Sequence, residues 1–374
     1  MKENKKKVLF LIHDLGPGGA EKVLVNLANN LDREKYDVTI QTLFDVGVNK
    51  QFIAPHVRYI GGLKRMFRGN IHIMKCLSPK NLHRLIVREK YDYEVAYLEG
   101  PCARIICGCD DTKTKKICWI HIEQKTAANA ARAFRSIQEA ELCYNKFDRI
   151  ICVSETVKKD FSDILGIKAP TDVLYNTNES DKILALSNDE VTECDFSSEE
   201  IKIVSVGKLL KSKGVDRTLR IIKRLVAEGD PVHFYVLGIG EEEDNLKRYI
   251  QENDLKEKCT MLGYQTNPYK YVAKCDLFVC ASKAEGFSTA ATEALIVGTP
   301  VCTVEVSGMK EMLGENNEYG IVTENSEEAL YQGIKGLLDD PALLIHYKRQ
   351  AEIRGKVFST ENTVRAVEEM LLKL

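Results

Sequence analysis

Short apolar runs alternate with helix-periodic segments along almost the whole chain, and they do so in two separate series. KVLFLIH (7 to 13) is a continuous apolar run ended by a Gly-Pro turn, as expected for a strand buried on both faces of a parallel sheet. In the GPGGAEKVLVNLANNL that follows, Ala20, Val23, Leu24, Leu27, Ala28 and Leu31 recur at helical spacing. DVTIQTLF (37 to 44) and VRYI (57 to 60) predict the next strands, so the opening unit is βαβ. YEVAYL (93 to 98), KICWI (116 to 120), RIICV (149 to 153) and DVLYN (172 to 176) continue the series. Helical segments such as ETVKKDFSDIL separate them, with Ser154 a good N-cap. After a polar, acidic stretch at 177–200 the alternation resumes with IKIVSVG, HFYVLG, CTMLG, DLFVCAS, PVCTVEV and IVT near 321. Helices are predicted over 213–228, 241–253, 267–274 and 288–297. Each series dictates a mostly parallel sheet with helices on both faces.

The expected fold class is therefore α/β, with two Rossmann-like doubly wound domains facing across a cleft. A chain of 374 residues exceeds one ordinary core. The expected division is an N-terminal domain at 1–178, a linker at 179–200 and a second domain at 201–356. A C-terminal helix at 357–374, with Val364, Val367, Met370 and Leu371 in phase, is able to pack back on the first domain. Ligands of such sheets sit outside the carboxyl ends of the strands, so the residues just past each strand are the ones to question.

Composition narrows the partners. With 44% hydrophobic and 29% charged residues the chain reads as soluble and globular, and a net charge of −2 argues against a nucleic-acid binder. The twelve cysteines are scattered, many inside apolar runs, and no CxxC occurs, which fits reduced core residues better than disulfides or a metal site. The start, MKENKKKVLFLIHDL, carries too short an apolar run for a signal peptide or a membrane span. A cytoplasmic location follows. The stretch 64–90 changes character, carrying eight Lys/Arg (Lys64, Arg65, Arg68, Lys75, Lys80, Arg84, Arg88, Lys90) against Glu89, with apolar residues interleaved. It suits peripheral contact with an anionic inner membrane face, and equally a surface helix pair with a solvated basic side.

The sharpest chemical signal is EGFSTAATE (285 to 293), delivered by the strand DLFVCAS. A helix opening near Ser288 offers free N–H groups, and Glu285 and Glu293 bracket that opening. A charged turn with a surface pair is the plain reading. Glu293, however, sits among Ala290, Ala291, Ala294 and Leu295, where a carboxylate needs a partner, and a vicinal diol supplies two hydroxyl donors. GKLLKSKG places Lys208 and Lys213 after another strand, and two cations there suit a diphosphate. Each charge pair at ~4 Å contributes about 4 kcal/mol at an effective dielectric of ~20 before desolvation. Gly16, Gly18 and Gly19 follow the first strand and let the backbone approach a phosphate. As a dinucleotide fingerprint they fail, because Glu21 stands where Gly or Ala is needed. His121 ends KICWI, in WIHIE with Glu123, and taken alone reads first as a structural histidine. The remaining histidines form no metal spacing, with His13 a minor candidate at a strand end.

Together these motifs make the chain resemble the GT-B fold retaining glycosyltransferases of family 4, particularly those building bacterial surface polysaccharides. The resemblance runs through GGAEKVLVNLANNL, YDYEVAYLEG, WIHIE, CVSETVKKDF, VLYN, VGKLLKSKG and GYQTNPYKYVAKCDLFVCASKAEGFSTAATEALIVGTP. It implies transfer of a hexose from a nucleotide sugar, often a UDP-sugar, to a hydroxyl of a glycan or lipid-linked glycan. It assigns catalysis to His121 and Glu285, and the ribose to Glu293. Gly286, Phe287 and Ser288 would meet the donor sugar through their backbone. Lys208, where many members carry Arg, and Lys213 would meet the diphosphate, with Gly18 and Gly19 opposite. Gly263, Tyr264 and Gln265 would lie near the base. No metal or other cofactor is implied, and no DxD triplet occurs. A non-catalytic nucleotide-sugar-binding partner protein and a nucleotide-dependent oxidoreductase are the competing readings. The first should lack one of these groups, and the second is disfavoured by Glu21.

Overall fold

A computed structural model describes residues 5–67, 69–192, 196 and 199–374, in two compact units. One unit comprises Met1–Asn178 with Thr360–Leu374, the other Glu179–Ser359.

The first unit is built on seven parallel strands, β1 (Lys6–Ile12), β2 (Tyr36–Thr42), β3 (Arg58–Ile60), β4 (Tyr93–Ala96), β5 (Lys115–Ile120), β6 (Arg149–Cys152) and β7 (Thr171–Val173). Their order is β3-β2-β1-β4-β5-β6-β7. Val8 pairs with Val38 on one side and Tyr93 on the other, and Val8 through Ile12 are buried, which is why this run shows no polar alternation. The second unit repeats the plan with β8 (Ile201–Val206), β9 (Val232–Leu237), β10 (Cys259–Gly263), β11 (Leu277–Cys280), β12 (Val301–Val304) and β13 (Ile321–Thr323), ordered β10-β9-β8-β11-β12-β13. Strand order therefore reverses between β1 and β4 and again between β8 and β11. Those two reversals are where a doubly wound sheet opens a crevice at its carboxyl edge.

The apolar runs locate the strands to within a residue or two, except that β7 ends three residues before the run DVLYN does. Helices depart further from expectation. The stretch expected as a linker contains the helix Ser180–Ser187, whose Ile183 is buried, and residues 193–195, 197 and 198 of that stretch lie outside the described residues. The helix expected over 267–274 is a single turn, Tyr269–Val272. No element is expected between 324 and 356, yet Glu327–Asp339 and Pro341–Gly355 are helical. Ser326 and Asp340 cap them, with Asp340 Oδ1 accepting from Ala342 N at 3.0 Å. The C-terminal helix Thr360–Leu372 packs in the first unit, where Tyr93 donates to the Leu371 carbonyl at 2.9 Å and Glu368 accepts from Asp32 N at 2.8 Å. Within 64–90 two short helices form, Asn70–Cys76 and Pro79–Ile86, and Arg68 lies outside the described residues. No helix among the described residues is long and apolar enough to cross a membrane.

One buried polar cluster escaped the sequence reading. His83, Glu94 on β4 and Cys109 meet with His83 Nε2 2.7 Å from Glu94 Oε2, and all three are buried. Burial disfavours a charged His83, but hydrogen bonds with the Cys109 thiol and the Glu94 carboxylate outweigh it and raise its pKa to about 9. A folded-state pKa above the ordinary 6.5 means the pair stabilises fully below pH 6.5 and loses that contribution as pH climbs through about 9. Urea unfolding should therefore show stability falling between pH 6.5 and 9.5, by up to about 3 kcal/mol. His83→Gln should flatten that slope and cost stability mainly at the acid end. An unchanged slope in the variant would contradict the assignment.

Candidate active site

Beyond Val206, at the end of β8, the loop carries Lys208 and tightens into a 3-10 turn at Lys211–Lys213. Gly214 closes the turn at φ +68°, and a Cβ there would lie 2.1 Å from the carbonyl oxygen of Ala281, just past β11. No side chain fits such an approach. The Lys283 N–H donates to the Ser212 carbonyl at 2.7 Å, so the loops flanking the strand-order reversal are tied by backbone. As a result Lys213 Nζ lies 2.7 Å from Glu285 Oε1, and Ser282 Oγ donates to the same oxygen at 2.6 Å. The Glu285 side chain is 11% exposed and that of Lys213 34%, which leaves the pair open on the lysine side. Lys213 thus stands in a 3-10 turn two residues before the helix Val215–Glu228, and its ion pair with Glu285 is a contact that the sequence did not indicate. Lys208 is exposed and forms no ion pair with a described residue.

Past Glu285 the turn is anchored by Phe287, which is buried and packs edge-on to Phe358 at 5.7 Å. A Cβ on Gly308 would lie 2.8 Å from the Gly286 carbonyl oxygen, so a second glycine holds the turn from outside. Ser288 then caps the helix Thr289–Ile296, its Oγ accepting from Ala291 N at 3.3 Å. Glu293 is buried in the second turn of that helix and accepts from Tyr269 Oη at 3.3 Å. Gly263 ends β10 at φ +65° with open space where a Cβ would stand, and Tyr264 is half exposed. Gln265 is oriented between the Leu262 carbonyl, which its Nε2 reaches at 2.8 Å, and Tyr271 Oη at 3.3 Å. Lys208, Lys213, Glu285 to Ser288 and Gly263 to Gln265 all follow carboxyl ends of strands in one sheet.

The first unit presents its own strand ends. Past β5, His121 has its N–H held by Glu99 Oε2 at 3.1 Å, and Gln124 Nε2 donates to Glu99 Oε1 at 3.3 Å. The His121 ring lies 5.0 Å from that of Tyr97, and its buried Nε2 has no hydrogen-bond partner among the described residues. Past β1, Gly18 caps the helix Gly19–Asn30, and a Cβ on Gly18 would meet Glu21 Oε2 at 1.9 Å. The Glu21 carboxylate lies close against Gly18 at the helix start, while the Gly18 N–H donates to the Gly16 carbonyl at 2.8 Å. An anion reaching the Gly18 and Gly19 turn meets that carboxylate first. His13 Nδ1 lies 2.7 Å from Asp14 Oδ2, whose other oxygen accepts from Gly16 N at 2.7 Å.

Residues 189–354 match the family described as glycosyl transferases group 1, and 17–181 match glycosyltransferase family 4. The chain is 34% identical over 98% of its length to a full-length Campylobacter jejuni protein. That relative is named N-acetylgalactosamine-N,N'-diacetylbacillosaminyl-diphospho-undecaprenol 4-alpha-N-acetylgalactosaminyltransferase. This chain belongs to the family 4 glycosyltransferases. An uncharacterized glycosyltransferase of Haemophilus influenzae is 23% identical over 96% of the chain and 98% of its own length. Among solved structures, Anabaena HepE in complex with UDP aligns with a TM-score of 0.76 at 20% identity, covering 98% of this chain and all of that one. Sucrose-phosphate synthase of Thermosynechococcus elongatus aligns at 0.78 and 16% identity, covering 98% and 99%. The two parallel-sheet domains are those of the GT-B fold.

In this glycosyltransferase Glu99, Gln124, Ser282 and Tyr269 orient groups named from the sequence, and none of the four was singled out there. Glu99 follows β4 in YLEG, so the strand-end rule that selected His121 would have found it. Burial holds the Glu99 carboxyl above its ordinary range, against hydrogen bonds from its own backbone, His121 and Gln124. Burial also lowers the His121 pKa to about 4, with a hydrogen bond to the Tyr97 backbone acting the other way. That bond uses Nδ1 as donor, which leaves Nε2 a neutral acceptor. His121 is then uncharged throughout the physiological range. The pH profile of turnover should show no His121-dependent inflection between pH 5 and 8. An acid limb near pH 6.5 that disappears in His121→Gln would overturn this.

Proposed function

We propose that the enzyme transfers a hexose from a UDP-sugar, with retention, to a hydroxyl of a lipid-linked glycan in surface polysaccharide assembly. The observation that carries the donor half is the Lys213–Glu285 pair, 2.7 Å apart at the strand-order reversal between β8 and β11, in the turn that leads to the helix start at Ser288. A diphosphate competes with Glu285 for Lys213, recruits Lys208 and uses the helix N-terminus. Glu285, released from its ion pair, accepts from hydroxyls of the donor sugar. Glu293, oriented by Tyr269, takes the ribose diol, with the base toward Gly263, Tyr264 and Gln265. Support for UDP comes from HepE, solved with UDP and with UDP and glucose. Support for a lipid-linked acceptor comes from the diphospho-undecaprenol substrate in the Campylobacter relative's name.

In the reaction the bond from the anomeric carbon to the β-phosphate oxygen breaks and the acceptor oxygen bonds that carbon from the same face. The acceptor proton passes to the departing phosphate oxygen. Negative charge grows on the diphosphate, where the lysines and the helix start stabilise it, while the sugar becomes oxocarbenium-like. His121 Nε2 is suited to accept from a sugar hydroxyl. The two lysines already supply cations, so the reading is metal-independent.

UDP and UDP-sugars should raise the melting temperature and NAD(P) should not. Glu293→Ala should weaken UDP binding about 10- to 100-fold, the loss of hydrogen bonds to a charged group. Glu285→Ala should suppress transfer while UDP still binds, and EDTA should leave turnover unchanged. Stabilisation by NAD(P) without UDP would sink the transferase reading. Peripheral membrane contact through 64–90 is part of the same proposal. Lys64→Gln with Arg65→Gln should reduce sedimentation with anionic vesicles several-fold, and equal sedimentation would retire that contact.

A further inference from the structure

The first unit carries a cavity of about 690 Å³ between residues 66, 67 and 69–75 on one side and 128–137 on the other. That is within the size range of small-ligand sites. Phe67, Ile71, Phe134 and Ile137 give it apolar walls, and none of its lining residues is acidic. Lys75 and Arg132 also line it, and neither forms an ion pair with a described residue.

The walls are fixed in place rather than loosely apposed. Arg104, buried to 1% exposure, donates to the Met74 carbonyl at 2.8 Å, to the Leu77 carbonyl at 2.9 Å and to Glu139. Arg135 donates to the carbonyls of Lys75 at 2.6 Å and Cys76 at 2.9 Å. Both arginines thereby bind the carboxyl end of the helix Asn70–Cys76 to the helix Ile137–Tyr144 and its lead-in. The nearby acid, Glu139, is already satisfied. Burial would raise its pKa, but Arg104 and the Arg135 N–H hold it below the ordinary range. Its charge is cancelled by Arg104, so it does not neutralise Lys75 or Arg132, which have no ion-pair partner among the described residues.

Two such cations beside hydrocarbon walls suit a ligand that joins a multiply charged anion to an apolar chain. Phe67 and Ile137, both lining the cavity, are themselves partly exposed, so its apolar wall opens to the surface. We infer that this cavity seats the lipid diphosphate of a lipid-linked acceptor, with Lys75 and Arg132 on the diphosphate and Phe67, Ile71 and Ile137 on the adjoining hydrocarbon. The inference rests on the reading of the acceptor as lipid-linked.

Farnesyl diphosphate is a suitable soluble probe, titrated into the full chain with saturating UDP present so that the donor site is closed to it. Wild-type protein should bind it, and Lys75→Glu with Arg132→Glu should weaken binding at least tenfold. Pyrophosphate and farnesol separately should each bind at least tenfold more weakly than the joined molecule. Unchanged binding in the double variant overturns the inference, as does pyrophosphate binding as tightly as farnesyl diphosphate. If farnesyl diphosphate fails to bind while phosphatidylglycerol vesicles do, and the double variant loses the vesicles, the two cations face a membrane surface and the inference falls. A UDP thermal shift retained by the double variant shows that it is folded. Loss of UDP binding in wild-type protein would instead strike the donor reading, so the two failures are distinguishable.

Discussion

The approach of Gly214 to the Ala281 carbonyl governs the geometry of the strand-end loops in the second unit. In a parallel sheet the loops after neighbouring strands diverge unless something ties them, because each leads into a helix on one face or the other. Here β8 and β11 are neighbours in the sheet but come from distant parts of the chain, and their following helices depart on either side of the strand-order reversal. A backbone contact that only glycine permits, with the Lys283 to Ser212 hydrogen bond, brings their loops into register. Lys213 and Glu285 are paired as a consequence, and their ion pair is better described as a result of this tie than as its cause. A part-exposed pair of this kind contributes little to stability. In the proposed reaction its value lies in keeping both groups oriented until a diphosphate competes for the lysine.

The two units use charge differently at the same topological position. In the second, Lys208 and Lys213 give the strand ends a positive character that an anionic leaving group can use. In the first, the groups are neutral or already satisfied. His121 is uncharged because burial removes the hydration that its cation would need. Glu99 is fixed by two N–H donors, and Glu21 occupies the helix start that a phosphate would otherwise take. Within the proposed reaction this is a sensible division. Cations at the strand ends of the second unit would stabilise a departing diphosphate bound there.

Much of the fold was legible because burial on both sheet faces leaves uninterrupted apolar runs, and thirteen of these became strands close to where the runs lie. The EGFSTAATE turn and its helix were legible for a local reason, since Ser288, the glycine and both glutamates fall within a few residues. What the sequence concealed was contact between distant positions. Lys213 and Glu285 are 72 residues apart, and neither residue type nor spacing announces their pairing. The meeting of His83, Glu94 and Cys109 joins a helix, a strand and a loop, so no ligand-spacing rule applies to it. The helix Ser180–Ser187 was hidden because only one of its apolar residues, Ile183, is deeply buried.

The stretch 64–90 shows why amphipathicity alone leaves a basic segment undecided. Its hydrophobic residues divide between two destinations, with Leu82 in the core and Ile73 and Leu85 exposed, although the periodicity treats them alike. What separates the first helix from a generic surface helix is the way it is held. Arg104 and Arg135 bind the carbonyls at its carboxyl end, where cations are also favoured by the helix dipole. Burying Arg104 with Glu139 is no efficient source of stability, because desolvating two charges offsets most of their attraction. The arrangement makes sense as a positional device, since hydrogen bonds to fixed carbonyls specify one geometry in a way that interchangeable apolar contacts do not. The same bonds neutralise Glu139. Position and charge are thus set by one interaction, which holds the chamber walls in place and leaves Lys75 and Arg132 available to an anion.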